Sequence, residues 1–406
     1  MKYFMRAGWA AIPVAFLIHF WIGHGESWEP LVTFLLAGFG VLPLAHMMGE
    51  STEHLASRTG PTWGGLLNAT FGNAAELIIA IIAMTKGLNE VVKASLTGSI
   101  IGNLLLVGGL AMVVGGWKRV KQTFSAGAAE ANGGLLAVGV AAMLMPAIFH
   151  FTAQSAGDPH LIAHEHSISI GASAVLLAVY ALGLLFTLKT HKHIFSAPPQ
   201  EEQPAAVRVQ HEAHPVWSVK RSVTILLLAA AGVGIVAELL VGSAEAVATE
   251  LGWNHVFVGV IVLAIIGNAA EHSTAIVMAR RNDMDTAMTI TYQSSLQIAL
   301  FVTPALVLLS AAFYATGLSP REAGMLNMVF TPMEVTSVIL CVAIVVILGV
   351  NGETNWFEGV LLLALYVILG VGFYFLPGEN AETPRHGGQV QGQNAETAAV
   401  AILAWM

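Results

Sequence analysis

Long apolar stretches recur along nearly the whole chain and alternate with short polar intervals. A helix needs about 20 mostly apolar residues to cross a hydrocarbon core of roughly 30 Å. The apolar stretches predict helices at residues 8–24, 29–50, 64–86, 93–116, 125–149, 168–188, 220–249, 255–279, 286–314, 325–349 and 356–376. The pattern therefore predicts an all-α polytopic membrane protein with about eleven transmembrane helices.

Composition supports a membrane setting. Of the 406 residues, 56% are hydrophobic and only 10% are charged, which is more apolar surface than one soluble core can hide. No basic cluster with interleaved aromatic residues indicates nucleic-acid binding. The single cysteine, Cys341, can form neither an internal disulfide nor a thiolate metal site. The first apolar stretch lacks a small-x-small cleavage site, so we expect it to be retained as a helix.

The distribution of positive residues predicts the orientation. Lys and Arg near helix ends tend to stay cytoplasmic, and all but four of the 17 lie on one side of an eleven-helix arrangement. The N-terminus and a polar linker at residues 189–219 are therefore expected in the cytoplasm, and the C-terminus outside. Residues 377–406 are rich in Gly, Gln, Asn and Glu and are expected to form a disordered tail.

An internal repeat is the most informative feature. The pentapeptide Gly-Asn-Ala-Ala-Glu occurs at residues 72–76 and again at residues 267–271. With a first helix in residues 1–28 set apart, residues 29–188 and 220–376 each hold five predicted helices. Because five is odd, the second unit must enter the membrane from the opposite side. The sequence therefore predicts inverted repeats, with a substrate site near the bilayer midplane where they meet.

The two glutamates of the pentapeptides, Glu76 and Glu271, fall inside predicted transmembrane helices. A charged side chain there costs about 2.5–3.5 kcal/mol on insertion scales, so it rarely lacks a function. Asn73 and Asn268 precede them by three residues and share their helical faces. Two converging carboxylates need a divalent cation or two protons for neutrality, and competition between these would produce exchange.

The nature of the oxygen ligands narrows the ion. Carboxylate and amide oxygens favour a hard cation, and Ca²⁺ accepts six to eight oxygens in irregular geometry. Further candidate ligands are small polar residues of the fourth and ninth predicted helices, for which hydrogen bonding between helices is the alternative: Ser99, Asn103, Ser294, Ser295 and Gln297. Glu53 and Glu245 are predicted to line ion entry paths, unless they are only interfacial carboxylates exposed to water.

Histidines offer weaker hypotheses. His54 and His272 could relay protons or could simply pack as hydrogen-bonded residues. His160, His164 and His166 have a spacing that could bind a transition metal, in a predicted external loop with no part in transport. The chain has no motif of a membrane protease, a lipase or a nucleotide-driven pump.

At these residues the chain resembles the cation/proton exchangers of the calcium/cation antiporter superfamily, the bacterial and vacuolar Ca²⁺/H⁺ antiporters. The first matching block runs from Gly72 to Val107, and the second from Gly267 to Val302. The resemblance implies Ca²⁺ export driven by inward proton flow, with no cofactor and a bacterial inner (plasma) membrane as the location. It also implies Glu76 and Glu271 as shared ion ligands, surrounded by Asn73, Asn268, Ser99, Asn103, Ser295 and Gln297.

Two departures from the family pattern stand out. Gln293 lies where the family usually has Gly, which bears on ion selectivity and on how closely the backbones approach. The central linker often carries an acidic helix, of which Glu201 and Glu202 are a short version.

Alternatives to proton exchange remain at this stage. Sodium could replace the proton as coupling ion, as in the related sodium/calcium exchangers. From other classes, a passive cation channel or an intramembrane enzyme using Glu76 and Glu271 as acid and base would fit the same carboxylates. The sequence leaves open the stoichiometry, the selectivity among Ca²⁺, Mn²⁺, Na⁺ and K⁺, the regulation, and whether the chain forms a homo-oligomer.

Overall fold

The computed structural model describes residues 2–23, 25–190, 217–318 and 324–377. Most of the predicted linker, with Glu201 and Glu202, and nearly all of the predicted tail lie outside the described residues. Helices make up almost everything else: α1 Lys2–Leu17, α2 Glu29–Phe71, α3 Ala74–Thr85, α4 Asn89–Ile101, α5 Gly108–Gly116, α6 Ala126–Ser155, α7 Leu161–Leu185, α8 Val219–Leu251, α9 His255–Phe257, α10 Ala264–Gly267, α11 Ala269–Arg280, α12 Met284–Gln297, α13 Thr303–Thr316, α14 Pro332–Gly349 and α15 Trp356–Tyr374.

Several helices continue without a break through a π-helical segment. Such segments carry α1 on through Ile18–Ile22 and α7 on through Phe186–Thr190, and they join α4 to α5, α9 to α10 and α12 to α13. In the described part of the chain, the strands are β1 Gln122–Thr123 and β2 Glu353–Thr354, which pair antiparallel. The predicted all-α polytopic membrane fold is confirmed.

The described part of the structure has fewer candidate spans than the eleven that the sequence predicts. Among the described residues, nine helices are long and apolar enough to cross a membrane, or ten if the pair His255–Gly267 and Ala269–Arg280, bent by 61°, is one span. The prediction of a third helix at 64–86 is wrong in its boundaries, because α2 continues to Phe71 and the 12-residue α3 starts after a turn at Gly72 and Asn73. Residues 51–59 are polar but include no helix breaker, so their polarity indicated a loop that does not form.

Two other predicted boundaries are also wrong. Helix α7 begins at Leu161 rather than 168, so His164 and His166 lie in its first turns rather than in a loop. Helix α14 begins at Pro332 rather than 325. Proline suits the first turn of a helix and disfavours α geometry in the residue before it. Thr331 and Glu334 complete a capping box at this end, and residues 324–331 are not helical.

The two pentapeptides produce matching local structures. Helices α3 and α11 both have 12 residues, and the asparagines before them, Asn73 and Asn268, have similar φ values of −99° and −94°. Two positions are called equivalent when they lie equally far along the chain from Asn73 and from Asn268. The equivalent helices α4 and α12 both run into π-helical segments, at Gly102–Val107 and Ile298–Val302.

Helix α4 packs backbone to backbone against the π-helical segment Val258–Leu263. An ideal Cβ at Gly98 would lie 2.2 Å from the carbonyl oxygen of Val260, and one at Gly259 would lie 2.4 Å from the Cβ of Ala94. Only glycine fits at either position, because a Cβ would meet backbone or a fixed methyl group. This contact joins the first half of the chain to the second immediately before Ser99.

Replacing Gly98 with Ala is expected to destabilise the protein strongly, since overpacking costs about 1–3 kcal/mol even where side chains can yield. Thermal unfolding of the purified protein in detergent measures this as a lowered melting temperature. Gly134→Ala in α6 is the matched control, because an added Cβ there meets nothing within 4 Å. Equal melting temperatures for the two variants would contradict the close contact.

Candidate functional site

Two carboxylates lie at the starts of two short helices. Glu76 is in the first turn of α3 and Glu271 is in the first turn of α11. The free N–H groups and the positive end of the dipole at a helix N-terminus both stabilise negative charge. The turn at Gly72 and Asn73, and its equivalent before α11, thus place each carboxylate where an ionised group is best tolerated.

The structure brings Glu76 and Glu271 together. The Cγ of Glu76 lies 3.3 Å from where a Cβ on Gly267 would be, so this glutamate reaches the break before α11. Glu76 and Glu271 are close enough to interact electrostatically. The Oε2 atom of each is enclosed and has no hydrogen-bond partner among the described residues. Buried carboxylate oxygens without donors are costly unless a cation or a proton occupies the space between them.

Asn268 is held by residues of the other half. Its Nδ2 donates to the Ser99 Oγ at 2.9 Å and to the backbone oxygen of Ala264 at 3.0 Å. Its Oδ1 accepts a longer hydrogen bond of 3.4 Å from the Nδ2 of Asn103. These three polar side chains are all buried, so the bonds fix the amide in one orientation.

Asn73 also bonds across the halves, but to a different partner. Its Nδ2 donates to the Oε1 of Gln297, whose equivalent position in the first half is Gly102. The Oδ1 of Asn73 is buried and has no partner among the described residues. This free amide oxygen, in the turn just before the helix of Glu76, is a further oxygen of the type that Ca²⁺ prefers.

The two serines of α12 differ in their environment. Ser294 is buried and lies near Glu271. Ser295 donates to the backbone oxygen of Thr291 at 3.0 Å, one turn earlier in its own helix. Ser294 therefore lies beside a carboxylate, whereas the Ser295 hydroxyl is bonded within its own helix. The equivalent Ser99 bonds instead to Asn268 of the other half, so the two serines do not have matching partners.

Other predicted residues lie outside this cluster. Glu53 in α2 and Glu245 in α8 are exposed. The Nε2 of His54 lies 3.8 Å from Glu50 Oε1, and His54 stacks on Trp217. His272 is buried, and its Nε2 has no partner among the described residues.

The histidines near the start of α7 do not converge on a metal site. No group of three or more potential ligands was found in the described part of the chain. The His164 Nδ1 pairs with Asp158 at 2.7 Å, and the His150 Nδ1 pairs with the buried Glu165 at 2.7 Å. The backbone N–H of His160, together with the His164 ring, lowers the pKa of Asp158. The spacing of these histidines thus serves local structure, and the transition-metal hypothesis gains no support.

Helices α3 and α11 are covered unequally. Ala75, Ile79 and Ala83 form one face of α3 and are buried. Helix α3 lies along α8, with Lys86 Nζ 2.7 Å from Glu238 Oε1. The equivalent face of α11 is open, since Thr274 is exposed and Ala270 and Met278 are only half-buried. At these matched positions the face of α3 is covered and the equivalent face of α11 is not, although α11 buries His272, Ala275 and Ala279 on another face.

Together, the broken helices and the paired carboxylates define a membrane transport protein rather than an enzyme. Comparison with known sequences identifies the family. The family described as "Sodium/calcium exchanger protein" matches residues 29–189 and 221–375. A Ca(2+)/H(+) antiporter of Synechocystis sp. is 42% identical over 372 residues, which cover 90% of this chain and 95% of the relative.

Two further comparisons agree. The Ca(2+)/H(+) antiporter ChaA of Bacillus subtilis is 41% identical over 356 residues, 87% of this chain and 95% of the relative. The solved structure of native YfkE superposes with a TM-score of 0.73 at 37% identity and covers 92% of this chain and 100% of that chain. The chain belongs to the Ca²⁺/H⁺ antiporter family within the sodium/calcium exchanger superfamily.

Proposed function

We propose that this chain exchanges Ca²⁺ for H⁺ across a membrane by alternating access. The observation that carries the proposal is the pair of carboxylates of Glu76 and Glu271, each with an enclosed Oε2 that has no partner among the described residues, at the starts of two short helices from opposite halves of the chain. The choice of Ca²⁺ and H⁺ as the exchanged ions is supported by the relatives of Synechocystis sp. and Bacillus subtilis, which are named Ca²⁺/H⁺ antiporters.

The charge of the site explains why the two substrates exclude each other. One Ca²⁺ neutralises two carboxylates, and so do two protons, whereas both at once would leave excess positive charge in a region of low dielectric constant. Binding one substrate therefore expels the other. This competition couples the two fluxes without any direct contact between them.

The candidate ligands take different roles in this proposal. Glu76, Glu271 and the free Oδ1 of Asn73 bind the ion directly. The side-chain amide of Asn268 is held by Ser99 and Asn103, and that of Asn73 by Gln297, through hydrogen bonds that cross the halves. Ser294 steadies Glu271, and Ser295 supports its own helix. The exposed Glu53 and Glu245 line the entry paths on α2 and α8.

The unequal cover of α3 and α11 is the basis for alternating access. In this conformation the α3 side is closed against α8, and the equivalent face of α11 is the open approach to Glu271. A switch that covers Ala270 and Thr274 while it uncovers Ala75 and Ile79 would move access to the other side of the membrane.

The membrane arrangement is part of the same proposal. Residues 29–188 and 220–376 act as inverted repeats, supported by the separate matches of the exchanger family to 29–189 and 221–375. With α3 and the residues before it counted as one further crossing, which brings the total to eleven, the Lys and Arg distribution supports a cytoplasmic N-terminus and an external C-terminus. The open face of α11 then faces the cytoplasm, and the bacterial relatives support a location in the inner membrane.

Flux measurements in reconstituted liposomes test the proposed coupling. With no Na⁺ present, an imposed pH gradient is expected to drive Ca²⁺ against its own gradient. Conversely, Ca²⁺ entry is expected to raise the internal pH, because protons leave in exchange. An imposed Na⁺ gradient at constant pH should drive no uptake. Uptake that follows Na⁺ alone would establish sodium coupling, and Ca²⁺ flux that runs only downhill would indicate a channel.

A further inference from the structure

The non-helical segment 324–331, termed the outer segment because the proposed orientation puts it on the external side, lies deep in the protein. Leu326, Met328 and Phe330 are buried. An extended backbone in such a place needs hydrogen-bond partners, since lipid provides none. The Leu326 N–H donates to Ser310 Oγ at 2.8 Å, and the Met328 N–H donates to Ser169 Oγ at 3.1 Å.

Glu334 closes this segment and is a buried acidic residue outside the carboxylate pair. It is 2% exposed and stands in the first turn of α14. Its Oε2 accepts from the Thr331 N–H at 2.9 Å and from the Thr331 Oγ1 at 2.8 Å. Its Oε1 accepts from the Thr97 Oγ1 at 2.7 Å. Three donors around one side chain suit a carboxylate, which only accepts hydrogen bonds when ionised.

The bond to Thr97 reaches the helix that carries part of the ion site. Thr97 belongs to α4, and its hydroxyl lies nearer to Glu334 than to the carbonyl oxygens of its own helix, at 3.1 Å for Ala94 and 3.3 Å for Lys93. One turn earlier on the same face, the Lys93 Nζ donates to the Val329 backbone oxygen at 2.9 Å. Helix α4 is therefore attached to the outer segment and to α14 at two successive turns.

A second surface of α4 is fixed as well, by the contact of Gly98 with Val260. Ser99 follows at once and accepts the hydrogen bond from Asn268, and Asn103 lies one further turn along. A slide or rotation of α4 by about 1 Å would break these bonds, because hydrogen bonds weaken steeply outside a narrow range of distance and angle. What holds Thr97 thus also sets the position of Ser99 and Asn103.

We propose that Glu334 is a positioning residue for ion binding, which acts through Thr97 to hold α4 in register with Asn268. This inference rests on the proposed function and assigns a role in Ca²⁺ affinity to a residue that lies outside the ligand set. Glu334 does not itself contact the ion. Its carboxylate aligns the residues that orient the amide beside Glu271.

Thr97→Val removes the hydroxyl at constant shape and is the most direct test. We expect the half-saturating Ca²⁺ concentration for pH-driven uptake to rise about tenfold, because a hydrogen bond to a charged group is lost, while the maximal rate changes little. Thr97→Ser restores the hydroxyl and should restore the affinity. Titration of Ca²⁺ into the purified protein should show the same order of affinities.

Two other variants separate positioning from capping. Thr331→Ala weakens the cap of α14 but keeps the bond between Thr97 and Glu334, so it should lower the melting temperature and leave the Ca²⁺ affinity unchanged. Glu334→Gln should weaken affinity, and combining it with Thr97→Val should weaken it no further than the worse single variant. If Glu334→Gln fails to fold, the three threonine variants still decide.

Wild-type affinity in Thr97→Val would overturn the inference. So would a loss of affinity in Thr331→Ala as large as that in Thr97→Val, because the cap alone would then account for both. Either result would leave Ca²⁺/H⁺ exchange by the wild-type protein intact. If the wild-type chain shows no pH-driven uptake but Ca²⁺ binding still falls in Thr97→Val, the proposed function fails and the positioning role stands.

Discussion

Replacing either Glu76 or Glu271 with Gln is expected to abolish pH-driven Ca²⁺ uptake. Glutamine keeps the shape and one acceptor oxygen but can carry neither the negative charge nor the exchangeable proton. A single remaining carboxylate leaves a bound Ca²⁺ with uncompensated charge in a region of low dielectric constant. We expect the uptake rate to fall by at least about 100-fold, since removing one partner of a buried charge pair costs about 3–5 kcal/mol.

Radioactive calcium uptake into inverted vesicles with an acidic interior measures the effect. Glu250→Gln is a suitable control, because Glu250 is an exposed glutamate at the end of α8 and its replacement should leave uptake unchanged. Protein levels and melting temperatures of the variants separate lost transport from lost protein. Full activity in both Glu76→Gln and Glu271→Gln would refute the assignment of the site.

A cysteine at position 274 is expected to react rapidly with a charged thiol reagent, and a cysteine at the equivalent position 79 is expected to stay unreacted. Thr274 is exposed on α11 and Ile79 is 6% exposed on α3. Charged reagents attack thiols in water and not in lipid, so the contrast also tests whether the open face of α11 meets an aqueous approach. The natural Cys341 is fully buried and provides a low background.

Mass spectrometry of the labelled protein in detergent gives the modified fraction for each variant. We expect nearly complete modification of Thr274→Cys and little above the wild-type background for Ile79→Cys. If Ca²⁺ shifts the chain toward the opposite conformation, it should lower the modified fraction of Thr274→Cys and raise that of Ile79→Cys. Equal modification of both positions would contradict the unequal access on which the transport cycle depends.

The carboxylate pair was predictable because the sequence marks it twice. The pentapeptide at 72–76 and 267–271 places a carboxylate and an amide on one helical face in each half, and the structure gathers these four side chains at the starts of α3 and α11. Of the small polar residues predicted on α4 and α12, Ser99, Asn103 and Gln297 bond to the two asparagines, whereas Ser295 bonds within its own helix. Which amide bonds to which partner was not, because Gln297 has a long side chain where the equivalent Gly102 has none.

The missed elements have identifiable physical causes. The break before α3 depends on a tertiary arrangement that places Glu76 against Gly267, and local propensity alone does not fix it. The late start of α14 had a local signal in Thr331, Pro332 and Glu334, which form a proline-containing capping box. Hydropathy alone concealed this signal, because the buried outer segment is as apolar as a helix that spans the membrane.

The hydrogen bonds that cross the halves have a consequence for the integrity of the protein. Asn268 is oriented by the side chains of Ser99 and Asn103, and Asn73 by that of Gln297, so the side-chain partners of each asparagine lie in the other half. A chain cut at the linker can work only if its two fragments reassociate. Either half expressed alone would lack the side chains that orient its asparagine and could not form the complete pocket.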